Sequence, residues 1–447
     1  MPRDQITSGV TSFIHDLSWG DLSDHAREMA ELCVLDLIGV AVGGTGTRLS
    51  AIVRDHGVQM FGGSDSFLMF DGRNVSPAGA ALAGGMTIDA LDAHDGYNPA
   101  KGHVGCSVFP AALAMAVALG RTGGQDFLTD IALGYELGSR LALALHGTVS
   151  DYHTSGAWGA VACAAVGARQ MGLDAEATRH ALGIAEYHGP RSQMMRCIDH
   201  PTMLKDGSGF GAMAGVSAAF LAKSGFSGAP AITIEGEESA QYWPTLGSDW
   251  LITQQYFKPY PVCRWAQAPI EAVLGLKHQH KLSSKMVERI EIRSFHESIR
   301  LATNDPKTTE EAQYSTSFPC AVALVRDHVG PEDVTEKAFA DPEIQRLSKS
   351  LRMVEDDYCN ANFPAERFAA ATLYLKDGRK LQSDIASPRW TADHPPTAAE
   401  LRAKFHSYSD ATLGQDRADK IEKTLIAFQD GGTLGDLVDL LRPPLVN

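Results

Sequence analysis

From residue 5 to about residue 260 the apolar positions recur at helical spacing. The stretch from Leu22 to Val42 sets the pattern. Ala26, Met29, Ala30, Leu32, Cys33, Leu35, Leu37 and Ile38 build an apolar face, Ser23 and Asp24 stand as caps, and Gly43-Gly44 ends the run. Residues 76–86, 108–120, 127–146, 156–171, 174–187 and 209–224 repeat the theme. Several are rich in Ala and Gly, as in Gly156-Ala-Trp-Gly-Ala-Val-Ala-Cys. Segments apolar nearly all round belong inside a bundle, where small side chains let helix axes approach closely.

After about residue 270 the pattern changes. Val287 to Phe295 alternates like a half-exposed strand. Phe368 to Leu375 and Lys380 to Ile385 read as two strands joined at Asp377-Gly378, a hairpin signal. Helical segments lie between them, one opening at Asp341-Pro342 with an N-cap and a proline in the first turn. Residues of about 270–395 therefore predict a smaller α+β domain. Beyond Pro395-Pro396 the helical spacing returns over roughly 397–408 and 415–442, with Thr397 and Glu400 spaced as a capping box. These last helices either rejoin the first bundle or pack by themselves.

Composition narrows the function. A chain of 447 residues is long for one core, which agrees with two domains. The formal charge is -15 and no basic stretch of any length occurs, which argues against a nucleic-acid partner. An anionic substrate would have to meet cations gathered locally. The seven cysteines are scattered and form no C-x-x-C pair, so neither a zinc ribbon nor a redox pair is indicated. Their apolar surroundings fit buried thiols in a reducing compartment. Met1 to Gly20 lacks the basic-then-apolar order of a signal peptide, and no uncharged apolar run is long enough for a membrane span. The expectation is a cytoplasmic protein with no membrane association.

Candidate chemistry concentrates between Asp89 and Pro110, where Asp92, His94, Asp95, Tyr97, Lys101 and His103 stand between two apolar helical segments. Asp92, His94, Asp95 and His103 suit a metal by residue type, and a hydrolase centre of Asp92, His94 and His103 is one reading. Their spacing matches no specific metal motif. Helix-capping aspartates are a second reading, and a carboxylate–imidazole pair for proton transfer a third. Asp151-Tyr152-His153-Thr154-Ser155 precedes an Ala/Gly helix, where Thr154 or Ser155 as cap would leave a helix start that favours anions. Lys205 enters a Gly-rich turn without the order of a phosphate loop, as a carboxylate-binding cation or a base. Lys258 and Arg264 fall at the domain junction, in Phe257-Lys-Pro-Tyr-Pro-Val-Cys-Arg-Trp265.

Six blocks in this order resemble the MmgE/PrpD family over nearly the whole chain. They are D-A-L-D-A-H-D-G followed by G-H-V-G, H-T-S-G, M-L-K-D-G-S-G-F-G-A-M-A-G, G-F-S-G-A-P, F-K-P-Y-P-V-C and A-Q-Y-S-T-S-F-P-C-A-V-A-L. The resemblance implies a mainly α fold, with a large all-helical domain from residues 1–268 and 396–447 and a smaller α+β lid domain from 269–395. It also implies a homodimer and an enzyme that acts without a cofactor or metal on small di- or tricarboxylates. Known family activities are 2-methylcitrate dehydration, cis-aconitate decarboxylation and iminodisuccinate epimerisation. By motif, Asp92, His103, His153, Lys205 and Lys258 match the family's active-site positions. Arg264, Tyr97, Lys101 and Tyr152 join them as substrate-binding candidates.

Two departures set the expected branch. Gly96 stands where the decarboxylases and dehydratases carry a threonine, and Phe318 at the position matched to the decarboxylase tyrosine, with Tyr314 close by in another register. The loop Asp92-Ala-His-Asp-Gly96 with Lys101-Gly-His103 looks closer to the iminodisuccinate epimerases. The leading expectation is a cofactor-independent epimerase that removes and returns a proton alpha to a carboxylate, with His103 and either Lys205 or His153 as its pair. A lyase on a citrate-like tricarboxylate is the alternative, and a protein that binds carboxylates without turning them over a further one.

Overall fold

The computed structural model describes residues 3–445. It is 60% helical and 8% strand, mainly α with a smaller α/β region. The helices Asp24–Gly44, Pro77–Asp89, Gly105–Ala118, Gly124–Thr148, Gly156–Met171, Ala175–His188 and Ser208–Lys223 pack on one another. Ser23, Ser76 and Asp174 cap three of them through side-chain oxygens. The Ala/Gly segments are buried almost throughout, and the close approaches are real: a Cβ on Gly215 would lie 2.3 Å from the carbonyl oxygen of Ala160.

The strands arrange as the alternation predicts, with additions. A two-stranded ribbon pairs β1 (Ser66–Phe67) with β2 (Asn74–Val75), too short to carry a sequence signal. The larger sheet has the order β4-β3-β5-β6. β3 (Val287–Ser294) runs parallel to β4 (Arg352–Glu355) and antiparallel to β5 (Ala369–Leu375), and β5 pairs with β6 (Lys380–Gln382) across the Asp377-Gly378 turn. β4 escaped the sequence reading because it is four residues long and mostly exposed, so it shows no buried alternation. The helix Arg264–Gln279 crosses residue 268 and packs against β5 and the helix Phe318–Arg326.

Asp341 and the Thr397–Glu400 box cap their helices as the sequence predicts. The C-terminal residues form three helices rather than two, Ala398–Leu413, Gln415–Phe428 and Leu434–Leu441. The break falls at Gly431-Gly432, where Gly431 takes a left-handed backbone. The first of these helices packs on Asp24–Gly44 and inserts Lys404 into the bundle, where it meets Asp36 at 2.6 Å. All seven cysteines are buried and unpaired. Among the described residues no single helix is long and apolar enough to cross a membrane.

Candidate active site

The loop after helix Pro77–Asp89 is pinned from below and from the side. Gly96 and Tyr256 exchange backbone hydrogen bonds of 3.0 and 2.8 Å, and Tyr97 N–H bonds to the Gly102 carbonyl at 2.8 Å. Lys404 donates to the Ala93 carbonyl at 2.7 Å. Trp158 Nε1 donates to the His103 carbonyl at 2.9 Å, and His103 N–H to Ser155 Oγ at 2.9 Å. Lys101 and Lys205 both hold left-handed backbones, at φ 58° and 50°. Non-glycine residues in that region carry strain of order 1–3 kcal/mol, retained where surrounding structure enforces it.

An inner chamber of about 40 Å³ opens beside this loop, bordered by Asp92, His103, Asp206, Tyr256, Lys258 and Tyr314 among others. Asp92 and Lys258 form a buried ion pair. Burial alone would raise the Asp92 carboxyl, but the Lys258 ammonium overcomes it and holds it below the usual carboxylate range. Burial lowers Lys258 and Asp92 more than offsets this, so its ammonium is held above its ordinary value. Both shifts favour the charged pair.

His103 is the opposite case. Burial first, then Lys258 and His94, push its imidazole well below its ordinary value, so it is neutral at pH 7. Its Nδ1 is bonded to the Asp95 carbonyl, which can only accept, so Nδ1 carries the proton and Nε2 keeps its lone pair. Nε2 lies 4.0 Å from Asp206 Oδ2. Asp206 is pushed up to about 7, by burial first and then by the charge of Asp89. Ser155 Oγ donates to its Oδ2. An imidazole base thus stands beside a carboxyl that exchanges protons near neutrality.

Not every nominated residue reaches the chamber. Asp92, His103, Lys258, Arg264, Lys101 and Tyr152 border it. Tyr97 borders a larger outer cavity of about 800 Å³. Lys205 sits behind the wall, donating to Gln313 Oε1 at 2.5 Å and lying 5.1 Å over the Tyr314 ring. His153 points elsewhere. Its ring is parallel to that of His146 with centroids 6.4 Å apart, and Tyr152 takes the position beside the chamber. Ser155 does not cap helix Gly156–Met171, because its hydroxyl is spent on Asp206 and His103. Asp92 is paired with Lys258 and His94 Nε2 with Asp89, and among the described residues the ligand atoms that converge as for a metal are those of His328, Glu332 and Asp333, not those of Asp92, His94 and His103.

The two missing hydroxyls also read differently in three dimensions. A Cβ on Gly96 would lie 2.5 Å from Tyr256 Oη and 2.8 Å from His103 Nδ1, so Tyr256 fills the space a side chain at 96 would use. Phe318 is buried against Phe339, away from the chamber, whereas Tyr314 borders it and accepts from Cys197 Sγ at 3.4 Å. Whatever position Phe318 matches, Tyr314 brings a hydroxyl to the chamber.

Sequence reading missed Asp206, Tyr256, Gln313 and Arg367, and noted Tyr314 only as lying close by in another register. Gln313 is the hub. Its Oε1 accepts from Asp92 N–H at 3.0 Å and from Lys205, while its amide donates to the Ala90 carbonyl at 3.0 Å. Asp206 was legible as the neighbour of Lys205 in a strained Gly-rich turn; the others carry no local signal.

Lysine and arginine cations, a neutral imidazole and a titrating carboxyl around one narrow chamber can hold a carboxylate and move a proton beside it. The chain matches the MmgE/PrpD N-terminal domain over residues 9–251 and the MmgE/PrpD C-terminal domain over residues 260–428. It belongs to the MmgE/PrpD family. It is similar to the cis-aconitate decarboxylase of Mus musculus, 23% identical over 99% of this chain and 94% of that protein. A cis-aconitate decarboxylase of Aspergillus terreus is 22% identical over 98% and 96% of the two chains. A cis-aconitate decarboxylase-like protein of Aspergillus oryzae is 21% identical over 99% and 98%.

Proposed function

We propose that this chain is a cofactor-independent lyase that forms a carbanion next to a carboxylate of a small di- or tricarboxylate. The observation that carries the reading is His103, neutral, with Nε2 free beside the buried Asp92–Lys258 pair. A substrate carboxylate seats against Lys258. His103 Nε2 takes the alpha proton, and the charge left behind spreads into that carboxylate, where Lys258 stabilises it. Asp92 keeps Lys258 charged. Asp206 or the Tyr314 hydroxyl gives a proton to the departing hydroxide in a dehydration. In a decarboxylation no alpha proton is removed: the C–C bond to a carboxylate breaks, CO₂ leaves, its bonding electron pair stays on carbon, and that carbanion takes the proton of Asp206 or Tyr314. The full-length relatives named as cis-aconitate decarboxylases support a lyase, as do the hydroxyls of Tyr256 and Tyr314.

A second reading is epimerisation of an iminodisuccinate-like dicarboxylate, with the proton returned to the carbon it left. The Asp92-Ala-His-Asp-Gly96 loop favours it, and Asp206 beside His103 supplies a second acid–base group. Proton NMR in D₂O over cis-aconitate, 2-methylcitrate, citrate and iminodisuccinate separates the two. Lyase action changes the carbon skeleton or makes an alkene; epimerisation only places deuterium at the alpha carbon. No change and no exchange with any of the four ends both readings. The working unit is proposed as a homodimer, supported by the exposed Tyr187, Leu204, Phe210, Phe226 and Ile232 on adjoining segments. Sedimentation at a single-chain mass would remove that part.

A further inference from the structure

Two arginines stand at the neck between the inner chamber and the outer cavity, and both border both spaces. Arg264 opens the helix Arg264–Gln279, and Arg367 lies just before β5. They are 7% and 6% exposed. Their bonds go to uncharged oxygens. Arg264 Nη1 donates to the carbonyls of Phe257 at 3.3 Å and Arg389 at 3.2 Å. Arg367 Nη1 donates to Asn98 Oδ1 and, at 3.3 Å, to the Ala365 carbonyl. The Nε of each is buried with no acceptor. Among the described residues neither is ion-paired with a carboxylate, although the protein carries a net charge of -15. Arg264 also stacks at 4.1 Å over the Tyr256 ring. Two buried guanidinium groups without a counter-charge are costly to keep, and an anionic ligand is the group that offsets them.

The volumes say which part of a ligand goes where. At about 10–15 Å³ per water-sized group, the chamber of about 40 Å³ takes roughly three such groups, the size of one carboxylate. The rest of a substrate must pass the neck into the cavity of about 800 Å³. We infer that Arg367 is a specificity-determining residue that, with Arg264, holds the carboxylate that does not react. Arg367 is bound to Asn98 of the catalytic loop, and Asn98 Nδ2 donates back to the Ala365 carbonyl at 2.9 Å. A ligand held there therefore ties the α+β part to the loop that carries His103. This rests on the carboxylate chemistry proposed above for the same site.

The test is calorimetric binding of tricarballylate and butyrate, which differ in carboxylate number, to the full-length protein and to Arg367→Ala and Arg367→Lys. Wild type should bind tricarballylate roughly 10- to 100-fold tighter than butyrate, the range of one charge-assisted pair. Arg367→Ala should lose most of that ratio while butyrate binding holds. Arg367→Lys, which keeps the charge and the stem, should fall between and serves if the alanine variant does not fold. Equal wild-type affinities for the two acids, no tricarballylate binding, or an unchanged ratio in the variants overturns this role. Arg367-dependent binding with no turnover and no proton exchange in D₂O leaves this role standing and removes the proposed chemistry.

Discussion

Replacing Gly96 with alanine tests the packing at the heart of the site without touching a charged group. The added Cβ would lie 2.5 Å from Tyr256 Oη, 2.6 Å from Tyr256 Cζ and 2.8 Å from His103 Nδ1. None of these atoms is free to step aside. Tyr256 is stacked under Arg264 and tied by its backbone to Gly96, and His103 is held by the Asp95 carbonyl. Overpacking of this kind costs about 1–3 kcal/mol, and the three rigid contacts place the cost at the upper end. Unfolding entropy of about 2.1 cal/mol/K per residue gives about 0.9 kcal/mol/K for this chain, so 2–3 kcal/mol lowers Tm by roughly 2–3 °C. Turnover should fall more steeply, about 10- to 100-fold, because a shift of His103 by a fraction of an ångström spoils the alignment of Nε2. Calorimetry of Gly96→Ala, Tyr256→Leu and the double variant closes a cycle. The double variant should be more stable than the sum of the singles by about 1–2 kcal/mol, since the shorter side chain clears the space. Additivity within about 0.5 kcal/mol would refute the claim that Tyr256 occupies the site of a side chain at 96.

Two further perturbations probe the charges. Lys258→Met leaves Asp92 buried without its partner and should cost about 3–5 kcal/mol in urea unfolding at pH 7. In the wild-type pair the depressed Asp92 contributes stability above its unfolded value of 3.8, lost only as pH falls below it; in the variant the orphaned carboxyl takes up a proton, so the penalty should shrink from pH 7 toward pH 5. Asp206 has the reverse sign. Its folded value is raised to about 7 from 3.8, so the folded state keeps a proton the unfolded state releases, and stability falls as pH rises between those values. Asp206→Asn should flatten that slope and remove the limb near pH 7 from the profile of kcat/KM; an unchanged slope and profile would sink the assignment.

Which parts of this site the chain announces locally depends on how its residues are held. Asp92 and His103 lie in one short polar stretch between apolar helices, and Lys258 and Arg264 in one stiff Pro-rich segment, so residue type and neighbourhood single them out. His153 shows the limit of that reasoning. It sits one residue from Tyr152, and both rings stand against His146, with centroids 6.4 and 5.4 Å away, but of the two only the tyrosine reaches the chamber. Lys205 is drawn behind the wall by Gln313, whose role no local pattern reveals.

The helices, their caps, the hairpin at Asp377-Gly378 and the change of texture near residue 270 follow from the sequence alone, because periodicity and capping act between residues a few positions apart. The choice of which hydroxyls, cations and carboxyls share the chamber was made only by the tertiary structure. Tyr256 lies opposite Gly96 by a backbone bridge across 160 residues, Arg367 reaches Asn98 across 269, and Asp206 is raised toward neutrality by burial first and then by Asp89 packed against it. Contacts of that separation depend on how whole helices stack, and the protonation states that govern the chemistry depend on the burial the stacking creates.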